Sequence, residues 1–149
     1  MYAPHTVTLY NVSEDAETLQ TTRSITVLKG VLLDISRASN VQKSGLENAD
    51  AATLYIPFSV VAYDPLTGNK KMFVTPRSYM ALEDKTDFWT LMTSGDTSAN
   101  PTFFVKGIIA DEESYGFIRN KYDFVYDVTS VDTKDFGSPN MQHWQVGGR

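Results

Sequence analysis

Apolar and polar residues alternate along most of this chain, and a period of two marks half-buried strands. Thr6 to Val12 places Val7, Leu9 and Asn11 on one face and Thr8, Tyr10 and Val12 on the other. After a polar stretch, Glu14 to Thr22, the pattern resumes over Ser24 to Ile35. Strict alternation there groups Ile25, Val27, Lys29, Val31 and Leu33, with Leu28, Leu32 and Gly30 opposite. A glycine inside so long a strand predicts a bulge or bend, as where a sheet curls toward a barrel. Ala51 to Tyr63 is the most apolar run. Pro57 interrupts it, and because proline cannot donate to a ladder it predicts an edge strand or a bulge. Asp64 to Asn69 has the residues of a tight turn, and Lys70 to Thr75 is expected to return as a hairpin arm.

Helical signals are sparse. Arg77 to Met92 carries the best of them: one turn after Pro76 over Tyr79, Met80 and Leu82, then a second piece capped by Thr86 or Asp87. Asp111 to Ser114 suits the start of a further turn, because acids favour its positive end. Thr102 to Ala110 and Lys121 to Thr133 predict two more strands, the second with Tyr122, Phe124, Tyr126 and Val128 on one face. Ser36 to Asp50 and Ser94 to Pro101 are loops by composition, the first a long connection between strands. Residues 142–149 read as an extended C-terminal tail, with Trp144 expected to dock on its own domain or on a neighbouring subunit. These elements predict a single mainly-β domain over residues 1–149, either a small partly open β-barrel or a sandwich, with one or two short helices.

Composition narrows the chemistry. The 149 residues contain no cysteine and only two histidines, His5 and His143, near opposite ends. Disulfide scaffolds, iron–sulfur clusters and thiol nucleophiles are therefore ruled out, and two histidines make a poor metal or triad set. A net charge of −5 argues against a dedicated grip on nucleic acid, whose binders carry a basic face. No apolar stretch is long enough to span a bilayer, and Met1 to His5 do not begin a signal peptide, so synthesis in the cytoplasm without membrane insertion is expected. Glu112-Glu113 and Asp123/Asp127 are the nearest approach to a glycosidase carboxylate pair, and Asp132 to Asp135 to a cation loop. Both read as solvated surface. No catalytic, cofactor-binding or metal-ligating residue is expected, and a carboxylate hydrolase is the weakest reading.

Four stretches carry a resemblance. They are Val7-Thr8-Leu9-Tyr10-Asn11, then Ile25 to Val31, then Ala49-Asp50 leading to Tyr55-Ile56-Pro57, and finally His143-Trp144-Gln145-Val146-Gly147-Gly148. Together the chain resembles the head–tail connector proteins of tailed bacteriophages, most of all the head-closure (head–tail stopper) family. The resemblance implies a β-barrel-like structural subunit of the virion neck, assembled in the host cytoplasm. It implies a ring of copies, a dodecamer or a hexamer, between the portal or adaptor and a tail-completion or tail-terminator protein. Packaged DNA would be retained and would pass the lumen without specific binding. The Arg37 to Ala49 loop would face the channel, with Arg37, Asn40, Lys43, Ser44, Gly45 and Glu47 as candidates. Tyr55, Pro57, Phe136, His143, Trp144 and Val146 are the candidate subunit contacts. The insertion Arg77 to Asn100 exceeds what a minimal barrel needs. Two alternatives remain: a tail-completion or minor capsid protein, and a carbohydrate-binding β domain stacking sugars on Tyr79, Trp89 or Trp144.

Overall fold

The computed structural model describes residues 2–14, 17–35, 51–93 and 102–149. In chain order the strands are β1 (His5–Glu14), β2 (Thr21–Ile35), β3 (Ala52–Pro57), β4 (Val61–Tyr63), β5 (Met72–Phe73), β6 (Phe88–Trp89), β7 (Thr102–Lys106), β8 (Val125–Lys134) and β9 (His143–Gly148). Two short helices, α1 (Pro76–Ala81) and α2 (Tyr115–Lys121), accompany them. Six strands close a barrel in the order β1-β7-β8-β9-β3-β2 and back to β1, every neighbour antiparallel, with β4 added on the outer side of β2. The expected β-barrel is thus present, and it is closed rather than partly open. Closure leaves these six strands without a free edge to pair with another chain.

The barrel is two sheets sharing two long strands. The first half of β2 pairs with β1, and its second half pairs with β3. Likewise β8 pairs first with β7 and then with β9. Each long strand turns the corner at a bulge of one extra residue. His5 faces Val31 and Thr6 faces Lys29, so Gly30 is extruded, with a φ of +93° that favours glycine. On β8, Val128 faces Gly148 and Ser130 faces Gly147, which extrudes Thr129.

An extra residue reverses the alternation, and this corrects the strict grouping of the β2 positions. Before the bulge Leu28 points inward; after it Val31 and Leu33 do. Ile25, grouped with them by sequence, instead lies outside the first sheet with Tyr10, Phe103, Val105 and Val125, beneath Ile118 of α2. On β8 the inward positions change from Tyr126 and Val128 to Val131 in the same way. The first sheet therefore buries both faces, one into the barrel and one under α2. On the second sheet the outward side chains of Leu32, Thr53, Tyr55, His143 and Gln145 stay part-exposed.

Residues 142–149 are not a separable tail. His143–Gly148 is the strand between β8 and β3, and Trp144 and Val146 point into the core. Nor is Pro57 on an edge strand, since β3 runs between β2 and β9. Its β2 pairing ends at Tyr55, so proline falls where no donor is needed on that side. Gly148 closes the inner face of β9: a Cβ there would sit 2.9 Å from Phe104 Cζ and 2.9 Å from Tyr126 Cβ. Gly148→Ala is expected to cost about 1–3 kcal/mol, the usual penalty for overpacking, read as a lower urea midpoint.

The other differences are local. Lys70 to Thr75 is not a full hairpin arm: only Tyr63 and Lys70 bridge, and Met72–Phe73 pairs in parallel with Phe88–Trp89. That parallel pair replaces the second helical piece expected at Thr86 or Asp87. Thr75 caps α1 instead, accepting from Ser78 N at 3.4 Å, with Pro76 in the first turn. Ser114 caps α2, which takes Lys121 and delays the last long strand to Val125.

Candidate functional site

The expected channel residues Arg37, Asn40, Lys43, Ser44, Gly45 and Glu47 lie outside the described residues. The two ends of their segment are described. Ile35 pairs with Ala52, and Ala51 N donates to Gly148 O at 2.7 Å, so the chain leaves and re-enters the wall at one rim.

The expected subunit contacts divide into two groups. Tyr55 and His143 meet on the outer face of the second sheet, ring centroids 5.8 Å apart, and Phe136 is 70% exposed. These three can meet a partner. Pro57 is buried, Trp144 is 9% exposed and Val146 is fully buried, so the last two serve the core rather than a neighbour. The carbohydrate platforms fare no better: Tyr79 and Trp89 are as buried as Trp144. His5 and His143 are each engaged locally. His5 Nδ1 accepts from Leu33 N at 2.9 Å, and His143 Nδ1 lies 2.8 Å from Met141 O. Among the described residues no group of three or more potential metal ligands occurs.

Two concave sites stand out. The first is an apolar cleft of about 520 Å³ with Phe58, Phe73, Leu91, Val131 and Trp144 in its wall. Trp144 packs against Phe58 and Phe73, with centroids 4.4 Å apart in both cases, and meets Trp89 edge-on. This box is the work of the 70–93 segment, which inserts Trp89 and Leu91 into the barrel core. A buried clamp holds it there. Asn11 Nδ2 donates to Thr90 O at 2.9 Å and Oδ1 accepts from Thr90 N at 3.2 Å, while Thr102 Oγ1 accepts from Met92 N at 3.0 Å. The described part of the expected insertion is therefore a plug for the barrel.

The second site is polar, a pocket of about 430 Å³ between the β1–β2 hairpin, Lys71 and α1. Lys71 is buried, and its Nζ donates to Ser24 Oγ at 2.8 Å, Ile25 O at 2.9 Å and Thr26 Oγ1 at 3.0 Å. All three acceptors are neutral. Burial lowers the Lys71 ammonium below its ordinary pKa, opposed by the charges of Asp64 and Asp87. Tyr79 is fully buried, and its hydroxyl has no well-formed hydrogen bond among the described residues, with only the Ser24 and Ser13 hydroxyls near it. Burial raises its pKa, tempered by the Ser24 and Ser13 hydroxyls beside it. The Arg23 Nε is likewise buried without a partner among the described residues.

A family model, described as a family of unknown function (DUF6751), matches residues 2–149. The chain belongs to the DUF6751 family. No curated protein and no solved structure matches it.

In this DUF6751 chain the polar pocket carried no signal in sequence. Lys70 and Lys71 are adjacent in sequence, and nothing local marks the second lysine as buried. Tyr79 read as part of a helical turn with an exposed ring. The pocket forms only because α1 is brought against Ser13 and Ser24.

Buried hydroxyls give stability a defined alkaline limit. Tyr10, Tyr79 and Tyr126 are all held above the ordinary tyrosine pKa, chiefly by burial. The folded chain keeps protons that the unfolded chain releases above about pH 10, so stability is full below that pH and falls as pH rises through the folded values. Lys71 acts in the opposite sense, while Tyr122 and Lys121, held above their ordinary values beside Asp111, act with the three buried tyrosines. The urea midpoint is expected to fall between about pH 9.5 and 11. Tyr79→Phe should lessen that fall, and because it removes a buried hydroxyl with no well-formed bond it should not lower the neutral-pH midpoint. A midpoint that stays level to pH 11 would contradict this.

Proposed function

We propose that this chain is a structural subunit of a tailed-phage neck, of the head-closure or stopper type. Copies form a ring, dodecameric or hexameric, between the portal or adaptor and the tail-completion or tail-terminator protein, and the ring retains packaged DNA. The observation that carries the reading is the closed antiparallel barrel, the kind of subunit that the sequence resemblance implies. Two features agree with it. The wall opens into the Arg37–Ala49 segment at a single rim, where a channel-facing loop would leave the barrel. The part-exposed outer face of the second sheet, with Tyr55 and His143, would meet the next copy. In this reading the protein works through contacts and performs no catalysis.

The test is electron microscopy of particles from a host in which the gene is disrupted. Filled or leaking heads beside free tails are expected. Normal, joined particles would overturn the proposal. The carbohydrate reading gains nothing from the structure, because all three of its aromatic platforms are buried.

A further inference from the structure

The polar pocket beside α1 has the chemistry of an incomplete site. Two donors on its floor, the Tyr79 hydroxyl and Arg23 Nε–H, are buried without a hydrogen-bond partner among the described residues. Each such group costs about 1–3 kcal/mol if nothing meets it, and folded proteins rarely leave two in one place. Ser24 adds a third donor. Its Oγ already accepts from Lys71 Nζ, so its own O–H can turn to the Tyr79 oxygen beside it or to a ligand. Beneath them lies the Lys71 ammonium, bonded only to neutral oxygens. A convergent set of donors over a buried positive charge suits a carboxylate.

The opening has the opposite character. Glu83 and Glu112 line it and are exposed, and they would repel a simple anion approaching the floor. A ligand that carries its own cation resolves the conflict, with its carboxylate inward and its ammonium between the rim acids. We propose that this pocket binds a small zwitterion of amino-acid size, its carboxylate held by Arg23, Tyr79 and Ser24 and its ammonium by Glu83 and Glu112. This goes beyond the neck reading and does not depend on it. A neutral sugar would meet the same donors but would bring no charge to the Arg23 and Lys71 cations. It would also find no ring to stack on, since Tyr79 is fully buried.

The test is thermal unfolding and calorimetric titration of the full chain with each common free L-amino acid, and with acetate, ethylamine and methyl glucoside, each at about 10 mM, where a ligand of millimolar affinity still raises the melting temperature. At least one amino acid is expected to raise it, and acetate and ethylamine to do so far less. Arg23→Gln should weaken that amino acid at least tenfold. Tyr79→Phe, which removes only a hydroxyl with no well-formed bond, should weaken it several-fold in a chain that still folds. Glu83→Gln with Glu112→Gln should weaken the amino acid but not acetate. No response to any amino acid, an affinity unchanged by both floor variants, or a response to the glucoside alone would each overturn the proposal.

Discussion

Removing residues 142–149 is expected to abolish the cooperative fold, not merely to block assembly. The segment contains β9, which hydrogen-bonds along its length to β8 on one side and β3 on the other. Its loss opens the barrel and exposes two ladders at once, with unpaired backbone groups on both new edges. It also takes Trp144 and Val146 out of the main core, and Arg149 N and O away from Asp127 O and N. Burial of one large aromatic alone is worth about 3–5 kcal/mol by truncation, against about 5–15 kcal/mol for a whole domain. Trp144→Ala by itself should therefore cost about 3–5 kcal/mol, since Phe58, Phe73 and Trp89 would be left around a cavity. Urea unfolding followed by near-ultraviolet circular dichroism reads both. A truncated chain with a cooperative transition and native near-ultraviolet signal would show that β9 is dispensable.

Asn11→Leu is expected to destabilise the chain by about 3 kcal/mol, although leucine is apolar, branched in the same way and placed in a core. The side-chain amide of Asn11 imitates a strand backbone. It pairs with both the N–H and the C=O of Thr90 and donates to Thr102 Oγ1 at 3.2 Å, all out of contact with water. Leucine would leave the Thr90 donor and acceptor buried and unpaired, at about 1–3 kcal/mol each. Asn11→Asp should be no better. It keeps an acceptor for Thr90 N but turns a carboxylate oxygen toward Thr90 O in a fully buried place. The plug that Asn11 holds should loosen first, so hydrogen exchange at the Thr90 and Met92 amides should quicken before that of the β3 amides. A change in urea midpoint worth less than about 1 kcal/mol would mean that the plug is held by packing alone.

Asn11 also shows how far the sequence could be read. Its alternation placed it correctly on the inward face with Val7 and Leu9, but a polar residue at the end of an alternating run looks like a strand leaving the core. Only the arrival of Thr90, 79 positions away, turns it into a clamp. The interface candidates behave in the same way. Tyr55 was legible as a strand residue and His143 only as part of a tail, yet both lie part-exposed on the outer face of the second sheet. Trp144, set among polar residues and glycines, has nothing near it in sequence that could bury it; β3, β8 and the 70–93 plug do so from elsewhere. The polar pocket was not legible at all, because Arg23, Lys71 and Tyr79 come from three separate segments and each looks ordinary in its own.

What the sequence by itself determined was local in origin. Alternation specified β1, β2, β3, β7 and β8 and hence a mainly-β class, and Gly30 marked the bend where β2 changes sheets. Pro76 and the turn at Asp64 to Asn69 punctuated the chain where the structure also breaks. The tertiary structure decided everything that depends on which strands meet. It closed the barrel through β9, reversed the inward parity at Gly30 and Thr129, and turned an apparent insertion into a plug. The physical reason is that propensity and periodicity act within a few residues, whereas a ladder, a buried clamp and a pocket need groups brought together by closure of the whole barrel.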